Sequence, residues 1–307
     1  MSVAGRERVP GRSLILVVAL GTTLAMLAAL TGCSSPETNT SIASTAAQGP
    51  SAQTAPVVDA PDWGHIHNLS LKGATLFIGS HDGMWKQEQQ QEPVLISTPA
   101  FDVMGLTPNG DRWLASGHPG PEMDSPGNLG LMASVDDGVT WQSVSLSGEV
   151  DFHRLVAADN VVVGLSAHDR TLLRSEDGGQ TWLDLGSPPL YDLAVDPTNA
   201  TTVVATTSDG LVHSADAGRT FTPIASPALL AFLAWTDRGL YGASVDGQIF
   251  LSTDEGTTWT ARGEINGQPE SFAADASTVI SLVGDSIVES LDGGLSFSPR
   301  VTGIARH

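Results

Sequence analysis

The sequence predicts an all-β protein folded as a six-bladed β-propeller, on three observations. The pattern S-x-D-x-G-x-[TS]-[WF] occurs five times, ending on Trp141, Trp182, Phe221, Trp259 and Phe297, at spacings of 41, 39, 38 and 38 residues. Between these motifs run short apolar and β-branched stretches broken by Asp-Gly and other glycine turns, the pattern of strands joined by tight hairpins. No stretch shows convincing helical periodicity. Four short strands every 40 residues or so make a propeller blade, and a fixed period of that size marks an array of such units.

The blades follow one plan. In the fourth, Tyr191-Asp-Leu-Ala-Val-Asp-Pro reads as strand and turn and Thr202-Val-Val-Ala-Thr as the next strand. Ser208-Asp-Gly reads as a hairpin, Leu211-Val-His-Ser as the third strand, and the motif then leads into a fourth. Innermost strands are expected near Ile66, Val103, Phe152, Leu193, Phe232 and Phe272, which gives six blades over about residues 62–303. In each motif the Asp carboxylate is expected to fold back onto backbone amides and the Gly to take a left-handed conformation. The final aromatic then drops between neighbouring sheets. Blade 1 carries Lys86-Gln-Glu-Gln-Gln-Gln-Glu-Pro93 in place of the motif, which leaves its outer strand and the closure of the ring undefined.

Ahead of the array, Arg6, Arg8 and Arg12 precede an apolar run from Ser13 to Leu30, the order of a secretory signal. The run ends at Leu30-Thr31-Gly32-Cys33, and Cys33 is the single cysteine of the chain. That tetrapeptide resembles a bacterial lipoprotein signal, which implies lipidation of Cys33 and an exported protein held on the extracytoplasmic side of the membrane. The alternative is an uncleaved anchor, since the run approaches the length of a membrane span. Residues 34–61, rich in Ser, Thr, Ala, Pro and Gln, read as a flexible tether. The division is therefore residues 1–32 as signal, 33–61 as lipidated cysteine and linker, and 62–307 as propeller.

The repeats themselves resemble Asp-box, or BNR, repeats. Chains similar to this one include sialidases, sortilin-type receptors, photosystem II assembly factors and exported proteins described as glycosyl hydrolases. The resemblance implies a fold and not an activity, because that scaffold hosts enzymes and pure binders alike.

Charge and composition narrow the field. The whole chain carries a formal charge of −20, and the part after Cys33, with 11 basic and 33 acidic side chains, is more acidic still. A surface of that sign repels phosphate backbones, which argues against a nucleic-acid partner. One cysteine cannot form an internal disulfide, so packing must supply the stability.

Positions at which equivalent blades differ indicate where the ring is specialised. Aligned on the innermost strands, His67, Met104, His153, Tyr191, Ala231 and Glu270 share one column. Two residues earlier stand His65, Asp102, Asp151, Pro189, Leu229 and Gln268. Before the hairpin Asp come His81 in blade 1 and His168 in blade 3, where blades 4 to 6 have Ser208, Val245 and Gly284. Blade 2 replaces that hairpin with an insertion, Gly117–Asn128, that carries His118, Glu122 and Met123. Six of the eight histidines are thus expected on one face over blades 1 to 3, opposite the repeated motifs.

Histidine with carboxylate suits zinc, and a methionine neighbour would favour copper. The candidate metal ligands are His65, His67, Asp102 and His153, with His81, His118 and His168 nearby. Asp151 is an alternative carboxylate, and the competing possibility is that these imidazoles only satisfy backbone groups.

For chemistry on sugars, a sialidase needs three arginines on the substrate carboxylate. Of nine arginines after Cys33, only Arg154 and Arg170 are placed near the mouth, and the Phe/Tyr-Arg-Ile-Pro motif is missing. Tyr191, Glu270, Arg154 and Glu122 remain as ligand-binding candidates. The favoured function is a monomeric, non-catalytic propeller tethered by its lipid, binding a ligand or partner protein through the histidine face. The alternative is a glycosyl hydrolase-like enzyme with a carboxylate pair or a metal-assisted hydrolase.

Overall fold

The computed structural model describes residues 58–305, with side chains from residue 60 onward. The expected signal, Cys33 and most of the tether lie outside the described residues. Six sheets form the ring, and the described residues contain no helix.

Blade 1 consists of β2 (Ile66–Lys72), β3 (Thr75–Ser80), β4 (Gly83–Gln87) and β5 (Val94–Leu95), after a short N-terminal strand β1 (Val58–Asp59). Blade 2 has β6 (Asp102–Asn109), β7 (Arg112–His118), β8 (Leu131–Ser134) and β9 (Gln142–Ser145). In blade 3 are β10 (Phe152–Ala158), β11 (Val161–Ser166), β12 (Leu172–Ser175) and β13 (Leu183–Asp184). Blade 4 follows with β14 (Asp192–Val195), β15 (Val203–Thr207), β16 (Gly210–Ser214) and β17 (Thr222–Ile224). Blade 5 comprises β18 (Leu230–Thr236), β19 (Gly239–Ser244), β20 (Gln248–Ser252) and β21 (Thr260–Glu264). Blade 6 ends the ring with β22 (Pro269–Asp275), β23 (Thr278–Val283), β24 (Ser286–Ser290) and β25 (Ser298–Thr302). All neighbours within a blade are antiparallel in sequence order, so every connection is a hairpin.

Each blade is apolar on both faces because it is sandwiched between two others. The second strands show it best: Leu76-Phe77-Ile78, Trp113-Leu114-Ala115 and Val203-Val204-Ala205 are buried without alternation. The result is six separate core clusters, one at each junction, and not a single central core.

The five repeated motifs are turn locks with nearly identical hydrogen bonds. In the first, Ser134 Oγ donates to Asp136 Oδ1 at 2.7 Å and accepts from the Gly138 N–H at 2.9 Å. The Thr140 N–H and hydroxyl donate to the two Asp136 oxygens at 2.9 and 2.6 Å, and Trp141 Nε1 donates to the Gly138 carbonyl at 2.9 Å. Gly138 has a φ of 89°, which a side chain would strain. Those donors, led by the Thr hydroxyl, hold the carboxyls of Asp136, Asp177 and Asp216 down at about 2. The closing aromatics enter the junction with the preceding blade. Trp141 meets Phe101 edge-on at 5.5 Å, and Trp182 packs on Phe152 at 5.1 Å.

Blade 1, without a motif, joins blade 6 by other means. Trp63 and Trp85 fill that junction with ring centroids 6.2 Å apart. Arg300 on β25 donates from Nε to Gln87 Oε1 at 2.8 Å, from Nη2 to the Ala74 and Gln87 carbonyls at 3.1 and 3.2 Å, and also pairs with Glu289. The strand β1 adds to the outer edge of blade 6 in parallel with β25, Val58 opposite Val301 and Asp59 opposite Thr302. The sheet thus extends into residues that the sequence assigned to the linker.

Candidate functional site

Hairpins sort onto two faces of the ring. The turn between second and third strands is bonded to the start of the innermost strand: the His81 N–H donates to the His65 carbonyl, and the Ala167 N–H to that of Asp151, each at 2.9 Å. The motif turns instead join the first hairpin, as where the Gly178 N–H donates to the Asn160 carbonyl at 2.8 Å. Histidine-bearing turns and motif turns therefore occupy opposite faces.

In five blades the pairing of the innermost and second strands slips by one residue at this face. The extra residues are His67, Met104, His153, Ala231 and Glu270. A bulge of this kind re-aims the side chain it releases. Blade 4 pairs regularly, Asp192 opposite Thr206. His67, Met104, His153 and Glu270 accordingly line one cavity of about 320 Å³ together with His65, Arg154, Arg170 and Tyr191. The sequence columns identified these residues, but not the bulges that turn them inward.

Asp102, first residue of β6, is the focus of blades 1 and 2. Its Oδ1 lies 3.1 Å from His67 Nε2, and its Oδ2 lies 3.1 Å from His81 Nδ1. The three donor groups fall within 4.8 Å of one another. Opposite, Gly117 leaves room for this backbone, since a Cβ there would stand 1.8 Å from the Asp102 carbonyl oxygen, at a φ of +153°. The His65 ring stacks on His67 with centroids 4.8 Å apart and planes 12° apart. Partial burial, then the neighbouring His67 and His81, lower the His65 pKa against the pull of Asp102 and Glu270. Burial works against ionisation of Asp102, but the adjoining His67, with the charges of His81 and His118, outweighs it and holds the carboxyl below its ordinary range.

A second group forms at Asp151, which is buried immediately before β10. His153 Nε2 donates to Asp151 Oδ2 at 2.8 Å, and His118 Nε2 stands 3.4 Å from the same oxygen. His118 Nδ1 donates to the Gly127 carbonyl at 2.7 Å, an acceptor that fixes the proton there and ties the blade 2 insertion to the site. The sequence grouping of His65, His67 and His153 is thus divided: all three line one cavity, but the polar partner of His153 is Asp151. His168 is exposed on its hairpin and belongs to neither group, and Glu122 is exposed on the insertion.

Deeper in the channel, Arg154 Nε lies 3.2 Å from Asp192 Oδ1, and its guanidinium stacks over Phe232 at 5.2 Å. Burial pushes the Asp192 carboxyl up, opposed by Arg154 and by the Leu233 N–H that donates to Oδ2 at 2.8 Å. Asp192 escaped the sequence analysis, although an acid between Tyr191 and Leu-Ala-Val was a signal. Arg170, over the Tyr191 ring at 5.2 Å, donates to the Leu190 carbonyl.

No protein-family model matches the sequence. A curated protein of Streptomyces mobaraensis, the dispase autolysis-inducing protein, is 30% identical over 150 residues, 45% of this chain. The match spans 39% of that protein's length. Among solved structures, a chain of a nidogen–laminin complex matches with a TM-score of 0.57 at 10% identity, over 73% of this chain and 90% of that one. A GH74 xyloglucanase from Xanthomonas campestris matches with a TM-score of 0.52 at 14% identity, over 80% of this chain and 46% of that one. Likeness at these identities shows the propeller fold alone.

Proposed function

We propose that this chain is an exported, lipid-anchored, non-catalytic propeller of the Asp-box type that engages a protein partner through the face of blades 1 to 3. The observation that carries the reading is the gathering of His65, His67, His81 and Asp102, beside His118, Asp151 and His153, on the face away from the motif turns. The scaffold is repetitive, and this face is where the repetition breaks, as a rigid ring carrying a specialised binding surface requires. The blade 2 insertion is pinned to it through His118. Asp151 is hydrogen-bonded by His153 and Asp192 is paired with Arg154, while Asp102 stands 3.1 Å from both His67 and His81. Acids each faced by an imidazole or guanidinium group favour recognition over the pair of carboxyls a glycosidase needs. A protein partner is supported by the name of the Streptomyces relative, which describes the induction of dispase autolysis. Anchoring is supported by the apolar run that stops at Leu30-Thr31-Gly32-Cys33, and a lipid there would keep the ring near membrane-bound or exported partners.

The test is site-specific photo-cross-linking in the native membrane, with the reactive residue at Glu122 on the insertion or at Val135 on the opposite face. Discrete adducts from position 122 and none from position 135 are expected. Equal adducts from both, or from 135 alone, contradict the proposed face. Labelled fatty acid incorporated by the wild type and lost in Cys33→Ala checks the anchor.

A further inference from the structure

We propose that His67, His81 and Asp102 bind a divalent d-block cation, with zinc as the fitting ion. The proposal deepens the reading of the histidine face and rests on it for location. Three donors from three separate segments converge: His67 from the bulge in β2, His81 from the Ser80–Gly83 hairpin and Asp102 from the start of β6. Two imidazoles and one carboxylate are a donor set that zinc accepts in sites with three protein ligands, the fourth position going to water or to an incoming ligand.

The second observation concerns unsatisfied polar atoms. His67 Nε2 and Asp102 Oδ1 are buried and, although 3.1 Å apart, neither has a hydrogen-bond partner. Buried polar atoms nearly always find partners, and an orphaned pair facing each other marks a place for an ion or water. A cation between them would satisfy both at once, and His81, on an exposed hairpin, has the freedom to close on it. Asp151 also has a buried oxygen without a partner, Oδ1, but its neighbouring imidazole is committed, since His153 Nε2 already donates to Asp151 Oδ2. Stacking of His65 on His67 adds a support that fixes the ligand ring, the role outer groups play around metal sites.

The experiment uses the full chain, detergent-solubilised, free of any histidine tag and stripped with chelator. It is titrated with zinc chloride in a calorimeter, and bound zinc is counted after dialysis. About one ion per chain is expected, with affinity falling roughly tenfold or more in His67→Ala and in His81→Ala, since even indirect supports of a metal are worth that much. His213→Ala, whose imidazole lies 3.7 Å from Glu255 on blades 4 and 5, should bind as the wild type does. Should a variant melt early, X-ray absorption of the zinc-loaded wild type gives an independent reading, with two imidazoles expected among the ligands. Substoichiometric zinc in the wild type, unchanged affinity in both variants, or a spectrum without imidazole overturns the site. Zinc uptake is read without any partner, so its failure is separate from failure of the cross-linking at Glu122.

Discussion

Arg300 Nε donates to Gln87 Oε1 at 2.8 Å across the junction of blades 6 and 1, joining residues from opposite ends of the ring. The same guanidinium reaches the Ala74 and Gln87 carbonyls and pairs with Glu289, and it is only 7% exposed. Arg300→Met strands a largely buried Glu289 and the Gln87 oxygen, so a loss of about 3 kcal/mol is expected. Arg300→Lys should recover only part of it, because an ammonium cannot present the same fork. Urea unfolding measures both, and a loss below about 1 kcal/mol for the methionine variant would show that the closure rests elsewhere.

Acid sensitivity should follow from the motif turns. Asp136, Asp177 and Asp216 have folded pKa values of about 2, below the ordinary 3.8. A depressed carboxyl contributes stability that is complete above the unfolded value and disappears as pH falls toward the folded one. The urea midpoint should therefore hold down to about pH 4 and drop between there and pH 2, and Asp177→Asn should flatten that drop. An unchanged acid slope in this variant contradicts the assignment.

Ser134 offers a companion test at neutral pH. Its hydroxyl is buried and serves Asp136 and the Gly138 N–H together. Ser134→Ala leaves that N–H without its acceptor, and a loss of roughly 1–3 kcal/mol at neutral pH is expected. Equal stability of the variant in the same titration rules out the lock.

In the channel, Arg154→Met removes the cation beside buried Asp192. Folding should then draw a proton onto Asp192, so stability falls at neutral pH and recovers on acidification. Arg154→Met with Asp192→Asn should be more stable at neutral pH than Arg154→Met alone, a non-additivity that a double-mutant cycle reads directly. Strictly additive effects refute the coupling.

Gly117→Ala tests the seat of Asp102. With a Cβ only 1.8 Å from the Asp102 carbonyl, the start of β6 must move. Lower stability together with weaker zinc binding is the expected pair, and wild-type values for both contradict it.

The six blades, their innermost strands and the two faces were legible because the blades could be compared with one another. Tight hairpins and the five motifs are local, and local chemistry is what a sequence shows most directly. Ring closure was not legible for the opposite reason. Blade 1 departs from the repeat, and its joint depends on Trp63, Trp85 and the distant Arg300, which share no pattern. At the mouth, columns identified His67 and His153, but a bulge moves side chains without leaving a mark in residue order. Which carboxylate each imidazole meets is decided by hairpins from neighbouring blades, and so His67 and His153 were assigned together when their partners are Asp102 and Asp151.

The parallel pairing of Val58–Asp59 with the final strand has a temporal consequence. Of the described strands β1 is made earliest and its neighbour β25 latest, so the blade 6 sheet is completed only after the strands of all the other blades have been synthesised. A product truncated before Ser298 would keep three strands of blade 6 but lose β25, and with it the edge that β1 pairs with and every Arg300 contact to blade 1, which makes premature termination more hazardous to this protein than its modular repeats suggest.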